Sequence, residues 1–174
     1  MDATARARKL RLMAFDVDGV MTDGSIYYTD SGSELKAFNA LDGAGLKMLE
    51  KAGIAVAVIT GRRAACVEVR ARNLGLDRLH QGVHDKADCL RGILAELGLT
   101  ADQAGFMGDD VMDLAVMGLC GFSVAPANAH EAVQRRATLV TRKEGGRGAV
   151  REACDFILAA QGRLDDVIAP WLPQ

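Results

Sequence analysis

The sequence predicts an α/β fold on a doubly wound, Rossmann-type parallel sheet, and three observations lead there. Short apolar runs alternate with stretches of helical periodicity, unusually polar residues stand directly after those runs, and no linker or internal repeat divides the 174 residues. The first run, Leu12 to Phe15, is too short for a helix and reads as a buried strand. Next, Ser25 to Thr29 and Glu34 to Phe38 flank Asp30-Ser31-Gly32, a turn signal, and predict a β-hairpin flap over about 25–38. Helical periodicity over Ala44 to Lys51 leads into the run Ile54 to Ile59, and helices follow over Ala64 to Leu74 and Ala87 to Leu97. Strands over Ala104 to Met107, Phe122 to Val124 and Thr138 to Val140 then alternate with helices over Asp113 to Leu119, Glu131 to Arg136 and Ala149 to Ala159. The segment 147–174 is read as a last helix with a tail, irregular from Trp171 to Gln174.

Composition narrows the function classes. At 49% hydrophobic and 25% charged residues with a net charge of -2, the chain has no basic surplus for nucleic acid, and 174 residues suffice for one domain over the whole of 1–174. The four cysteines stand far apart with no CxxC pair, which predicts reduced thiols rather than a zinc ribbon or redox site. Basic residues precede the first apolar run, but Asp16 and Asp18 interrupt it too soon for a signal peptide, and no run is long enough to span a bilayer. The expectation is a cytoplasmic enzyme or binding protein with no membrane partner.

In doubly wound sheets ligands bind beyond the carboxyl ends of the strands, so the residues after each run carry the chemistry. Asp16 and Asp18 follow the first run, Thr60, Gly61 and Arg62 the second, and Gly108, Asp109 and Asp110 the third. A carboxylate attacks phosphorus only where the charge of the phosphate is neutralised, which requires a divalent cation and a fixed positive side chain nearby. Two carboxylates two residues apart at an extended strand end point the same way, so one can attack while the other handles the proton of the leaving group. Asp109, Asp110 and Asp113 offer oxygen ligands suited to Mg²⁺. Lys86, at a predicted helix start, supplies a positive charge, and Thr60 with the amides after it can hold a phosphate oxygen.

These residues resemble the haloacid dehalogenase superfamily, whose four motifs appear as Asp16-Val17-Asp18-Gly19, Thr60-Gly61-Arg62, Lys86 and Gly108 to Asp113. The resemblance implies Asp16 as nucleophile and magnesium ligand. It also implies Asp18 as general acid/base that offers its main-chain carbonyl to the metal, Asp109 as a further metal ligand, and Thr60, Gly61 and Lys86 as phosphoryl-binding. The roles of Asp110 and Asp113 stay open. Many members insert a cap domain after the first or second motif; here the flap, strands and helices already occupy 19–59 and 63–85, which predicts an uncapped site.

The segments 38–49, 58–64 and 141–158 resemble the family of 3-deoxy-D-manno-octulosonate 8-phosphate (KDO 8-phosphate) phosphatases, over about residues 9–165. That resemblance implies a homotetramer in which a neighbouring subunit closes the site, a sugar-acid phosphate as substrate, and a product that feeds lipopolysaccharide synthesis. A nine-carbon sialic-acid-type phosphate is the alternative substrate; a non-catalytic phosphate-binding scaffold is disfavoured because both Asp16 and Asp18 are present. The substrate carboxylate calls for cations outside the phosphate pocket, and Arg62, Arg70 and Lys47 are candidates, with Arg62 and Arg70 on one helix face if Arg62 opens that helix. A solvated helix face is the competing reading for Arg70. The loop Asn39, Ala40, Leu41, Asp42, Gly43 has the polar groups and glycine expected where backbone approaches a hydroxylated ligand, against a helix cap by Asp42. Gly145, Gly146 and Gly148 read as a flexible hinge, and His84 is the histidine closest to the site, beside Lys86.

Overall fold

The computed structural model describes residues 2–172. In chain order the elements are α1 (Ala3–Ala7), β1 (Leu12–Phe15), β2 (Tyr27–Tyr28), β3 (Glu34–Leu35), α2 (Ala40–Lys51), β4 (Ala55–Thr60), α3 (Ala65–Leu74) and β5 (Leu79–Gln81). They continue with α4 (Lys86–Leu97), β6 (Ala104–Met107), α5 (Leu114–Leu119), β7 (Phe122–Ala125), α6 (Glu131–Gln134), β8 (Leu139–Val140), α7 (Ala149–Ala160) and α8 (Leu164–Ile168). Six strands form one parallel sheet in the order β5-β4-β1-β6-β7-β8. The chain leaves β1 toward β4 on one side and later returns to β6 on the other, so β1 is the switch point of the doubly wound sheet.

Side chains alternate across each strand and feed two cores. From β1, Met13 and Phe15 enter the layer with α2, α3 and α7, where Leu46, Leu49, Val67 and Ile157 pack, while Leu12 and Ala14 enter the layer with α4, α5 and α6. Phe106 of β6 is fully buried in the second layer; such a side chain contributes about 1.5–3 kcal/mol by leaving water. Every residue of β1 and β6 is buried, which is why their limits are marked by apolar runs alone.

The antiparallel pair β2–β3 is the predicted hairpin, shorter than its arms, with Tyr27 opposite Leu35. Three elements depart from expectation. β5 has no apolar run and is held as an edge by pairing Val58 with Leu79 and Thr60 with Gln81. Helices α1 and α8 each have only five residues and owe their place to packing against α7. The predicted irregular tail lies partly beyond the described residues; within them, Ala169–Trp171 forms a 3₁₀ turn.

Two further expectations are corrected. Ala40 to Gly43 are not a loop but the first turn of α2, capped by Asn39, whose side chain accepts a hydrogen bond from the Leu41 amide at 2.8 Å. Gly145 and Gly146 are not a hinge: they are wedged against the loop after β1, where the Gly146 amide donates to the Val20 carbonyl at 3.0 Å. A Cβ at position 145 would lie 1.8 Å from the Gly19 carbonyl oxygen, so close backbone approach, rather than mobility, demands glycine there.

Candidate active site

Three adjacent strands, β4, β1 and β6, end beside one another and deliver Thr60, Asp16 and Asp109 to one edge of the sheet. They line a cavity of about 440 Å³ together with Asp18, Arg62 and Lys86. The Asp16 amide donates to the Met107 carbonyl at 3.0 Å, which locks the end of β1 to that of β6. Gly19 follows with φ +82°; a Cβ there would sit 2.0 Å from Asp109 Oδ2, so only glycine lets the two loops meet. Gly61 also lines the cavity, and so does the exposed His84 at its rim.

At the floor, Lys86 opens α4 and lies buried between two carboxylates, with Nζ 2.9 Å from Asp16 Oδ2 and 2.7 Å from Asp113 Oδ1. Asp85 caps that helix by accepting from the Asp88 amide at 2.9 Å, which fixes where the lysine leaves the chain. Asp113, 1% exposed, also accepts from the Asp109 amide at 3.0 Å through Oδ2, so both of its oxygens are engaged. Asp110 is exposed and caps the 3₁₀ turn that follows it, accepting from the Val111 amide at 2.7 Å. Asp113 thus holds Lys86 and the Asp109 backbone, and Asp110 shapes the turn.

Asp16, Asp109 and Asp113 each offer an oxygen within 4.8 Å of the others. Asp16 Oδ1 is buried with no hydrogen-bond partner. An orphaned carboxylate oxygen facing further carboxylates is a donor set for a hard divalent cation. Asp113 already takes a hydrogen bond on each oxygen, whereas Asp16 keeps one oxygen unpartnered, and all three carboxylates could share a cation. Burial first, and then the charges of Asp16, Asp113 and Asp110, push the Asp109 carboxyl up to about 7, with Lys86 opposing. Asp16 is raised to about 6, by burial and Asp113 against the pull of Lys86.

These shifts carry a testable sign. A carboxyl that binds its proton more tightly in the folded than in the unfolded chain makes stability fall as pH rises, here from the ordinary 3.8 through about 7. In chelator at pH 8, Asp109→Asn is therefore expected to be more stable than the parent by about 1–3 kcal/mol, shrinking toward pH 4. A bound divalent cation is expected to reverse the order, because the variant lacks one of the clustered carboxylates that could hold it. Urea unfolding at the two pH values, with and without Mg²⁺, measures both.

At the mouth, the Asp18 carboxylate turns away from the floor toward Lys36 and Arg62. Lys36 and Glu34, from the hairpin, are absent from the residues that the motifs single out. Their i, i+2 spacing on a predicted strand arm, placing both on one face, is the available signal; which face meets the site depends on a contact far along the chain. Arg62 does not open α3, which begins at Ala65; it reaches Glu34 Oε2 at 2.8 Å and the Tyr28 hydroxyl at 3.1 Å instead.

The remaining predicted residues do not converge on this cavity within one chain. Arg70 donates to the Asn39 carbonyl at 3.1 Å and lies over Phe38, tying α3 to the start of α2. Asp42 is buried and caps α7 rather than its own helix, accepting from the Arg151 amide at 2.8 Å and the Gly148 amide at 3.3 Å. A Cβ on Gly43 would meet Arg70 at 2.3 Å. Leu41 is exposed, and Lys47 lines a separate cavity with Met48, Lys51 and Trp171. Among the described residues all four cysteines are free, and burial pushes the Cys120 thiol up to about 12. No described helix is long and apolar enough to cross a membrane.

Comparison with known proteins shows which family the chain belongs to. The family model of haloacid dehalogenase-like hydrolases matches residues 76–153. A 3-deoxy-D-manno-octulosonate 8-phosphate phosphatase of Yersinia pestis is 49% identical over 164 residues, covering 94% of this chain and 88% of the relative. Among solved structures, a probable YrbI-family phosphatase from Pseudomonas syringae superposes with TM-score 0.97 at 46% identity, covering 99% of this chain and 98% of the other. The phosphatase of Moraxella catarrhalis, solved in complex with magnesium, phosphate and KDO, gives TM-score 0.95 at 40% identity and covers 98% of each chain. With the carboxylate pair, the lysine and the acidic cluster gathered at one sheet edge, this chain is a phosphoric monoester hydrolase that belongs to the 3-deoxy-D-manno-octulosonate 8-phosphate phosphatase family of haloacid dehalogenase-like hydrolases.

Proposed function

We propose that this enzyme hydrolyses 3-deoxy-D-manno-octulosonate 8-phosphate to KDO and phosphate through an aspartyl-phosphate on Asp16. The observation that carries the reading is the pairing at the floor: a buried Asp16 with one oxygen held by Lys86 at 2.9 Å and the other unpartnered. A carboxylate fixed in that way is oriented for attack on phosphorus. Thr60, Gly61 and Lys86 hold the transferred phosphoryl group, and Lys86 neutralises part of its charge as the bond to Asp16 forms.

Asp18 protonates the leaving alcohol in the first step; in the second it takes a proton from the water that attacks phosphorus and frees Asp16. Mg²⁺, held by Asp16, Asp109 and the main-chain carbonyl of Asp18, supplies Lewis-acid stabilisation of the phosphoryl oxygens when bound. Both Asp16 and Asp109 stand among carboxylates whose mutual repulsion a cation relieves, which supports that assignment.

The substrate carboxylate meets Arg62 at the cavity mouth. Asn39, Ala40, Leu41, Lys47 and Arg70 do not line their own chain's cavity, and we assign them to the site of a neighbouring subunit in a homotetramer, whereas the buried Asp42 and Gly43 serve the packing of α7 and α3 on α2. The exposed Tyr27, Tyr28 and Leu35 of the hairpin, an apolar surface at the rim, support that arrangement. The single domain, 1–174, then needs no cap of its own.

Phosphate release from eight- and nine-carbon sugar-acid phosphates, with and without chelator, tests the substrate. The eight-carbon ester is expected to give the higher kcat/KM, and chelator to remove activity on both; preference for the nine-carbon ester would reassign the substrate while leaving the chemistry in place.

A further inference from the structure

The hairpin reaches the acid/base residue with a buried cation. The Lys36 side chain is 1% exposed and its ammonium contacts Asp18 Oδ1, while Glu34 Oε1 lies 2.6 Å from the same nitrogen. Glu34 Oε2 binds Arg62 Nη2 at 2.8 Å, and Arg62 Nε lies 3.6 Å from Asp18 Oδ2. The four side chains close a ring in which two carboxylates alternate with two cations, so the charges balance without a counterion from solvent. Burying a lysine along its length costs rotamer freedom and desolvation, and a two-residue hairpin pair is barely stable alone. A structure that only had to shape a surface loop would gain nothing from placing this ammonium on the carboxyl that exchanges protons with substrate.

The contacts also separate the two oxygens of Asp18. Oδ1 is occupied by Lys36, whereas Oδ2 is buried without a hydrogen-bond partner. From this asymmetry we infer that Glu34 and Lys36 are positioning residues for Asp18, holding Oδ1 so that Oδ2 carries the transferred proton. The inference rests on the acid/base role proposed for Asp18. In the first step the proton passes from Oδ2 to the departing alkoxide oxygen as its bond to phosphorus breaks and the bond from Asp16 forms. In the second, Oδ2 takes a proton from water as the oxygen of that water bonds to phosphorus and the bond to Asp16 breaks. Glu34 keeps Lys36 and Arg62 in place on either side, and through it the hairpin becomes part of the catalytic arrangement.

Leaving-group dependence of kcat/KM isolates this role, because it reports the first step and a good leaving group needs little protonation. Benzyl, phenyl and p-nitrophenyl phosphate serve as probes, as none carries a carboxylate for Arg62. Lys36→Met is expected to lower kcat/KM on benzyl phosphate roughly 10- to 100-fold more than on p-nitrophenyl phosphate. Asp18→Asn shows the same bias more strongly, the double variant shows no more than Asp18→Asn alone, and Lys36→Arg restores most of the loss. Glu34→Gln, which leaves Lys36 in place without its anchor, shifts the ratio in the same direction by about threefold to tenfold and serves as the reading if the Lys36 variant does not fold. Equal losses on all three esters, or additive effects in the double variant, overturn the proposal while the bias of Asp18→Asn persists. If Asp18→Asn itself shows no bias, the acid role fails and this inference falls with it.

Discussion

Asp16→Asn is expected to lower kcat by at least about 10⁴-fold with the fold intact, because the nucleophile cannot be replaced by a neighbour. Lys86 holds one oxygen of Asp16 and the second is free, Asp113 is occupied by Lys86 and by the Asp109 amide, and Asp109 is assigned to the cation, so none of the clustered carboxylates takes over the attack. The amide keeps an oxygen for Lys86, and it removes a carboxyl whose ionisation burial opposes, with a pKa of about 6. Stability in the absence of metal should therefore hold or rise at pH 8, where that carboxyl is charged in the parent. Phosphate release and thermal unfolding, measured on the same sample with Mg²⁺ and with chelator, separate lost chemistry from a lost fold. Turnover within tenfold of the parent would remove Asp16 from the mechanism.

Lys86→Met has the opposite profile: it costs both stability and rate. The ammonium is 9% exposed between Asp16 and Asp113, and also faces the Phe106 ring at 5.9 Å. Burial works against its charge, but the two carboxylates outweigh burial and hold its pKa above that of a free lysine. A raised lysine pKa contributes stability in full below the unfolded value of 10.5 and loses it only as pH climbs through the folded one, so the lysine's own titration removes none of it between pH 5 and 8. Removing the cation leaves three clustered carboxylates with no positive side chain among them, at a cost of about 3–5 kcal/mol. The deficit grows with pH as those groups ionise, and Mg²⁺ offsets part of it. With a phosphoryl-binding charge gone, kcat should fall about 10²- to 10³-fold. Urea unfolding at pH 5 and 8 together with steady-state kinetics checks both halves; a stable, fully active Lys86→Met enzyme would mean the ion pairs are incidental.

The parts of the fold and site that are legible in the sequence are those set by local pattern. The strands Leu12–Phe15 and Ala104–Met107 are buried on both faces, so their runs are apolar throughout and marked at each end. The residues just after such runs have to lie at the ligand-binding edge of a parallel sheet, and that rule alone places Asp16, Asp18, Thr60 and Asp109 together. β5 leaves no such mark because Leu79, His80 and Gln81 are half-buried at a sheet edge, where pairing with β4 rather than pattern makes the strand.

The start of α2 misleads for a related reason. Gly43 looks like a loop residue, yet it is small because the Arg70 side chain packs on the helix there, as Arg151 does at Gly45. The ring of Lys36, Glu34, Arg62 and Asp18 joins residues up to 44 positions apart, and only the folding of the hairpin back across the sheet edge brings them together.

A phosphoryl group that passes through Asp16 can be trapped there. Enzyme mixed with excess KDO 8-phosphate and Mg²⁺ is quenched in acid during turnover, digested, and mapped by mass spectrometry. One added phosphoryl group is expected on the peptide that contains Asp16, absent in Asp16→Asn and in chelator. A phosphoryl group on any other residue, or an unmodified Asp16 peptide at every quench time together with parent-rate phosphate release from Asp16→Asn, would overturn the route through Asp16.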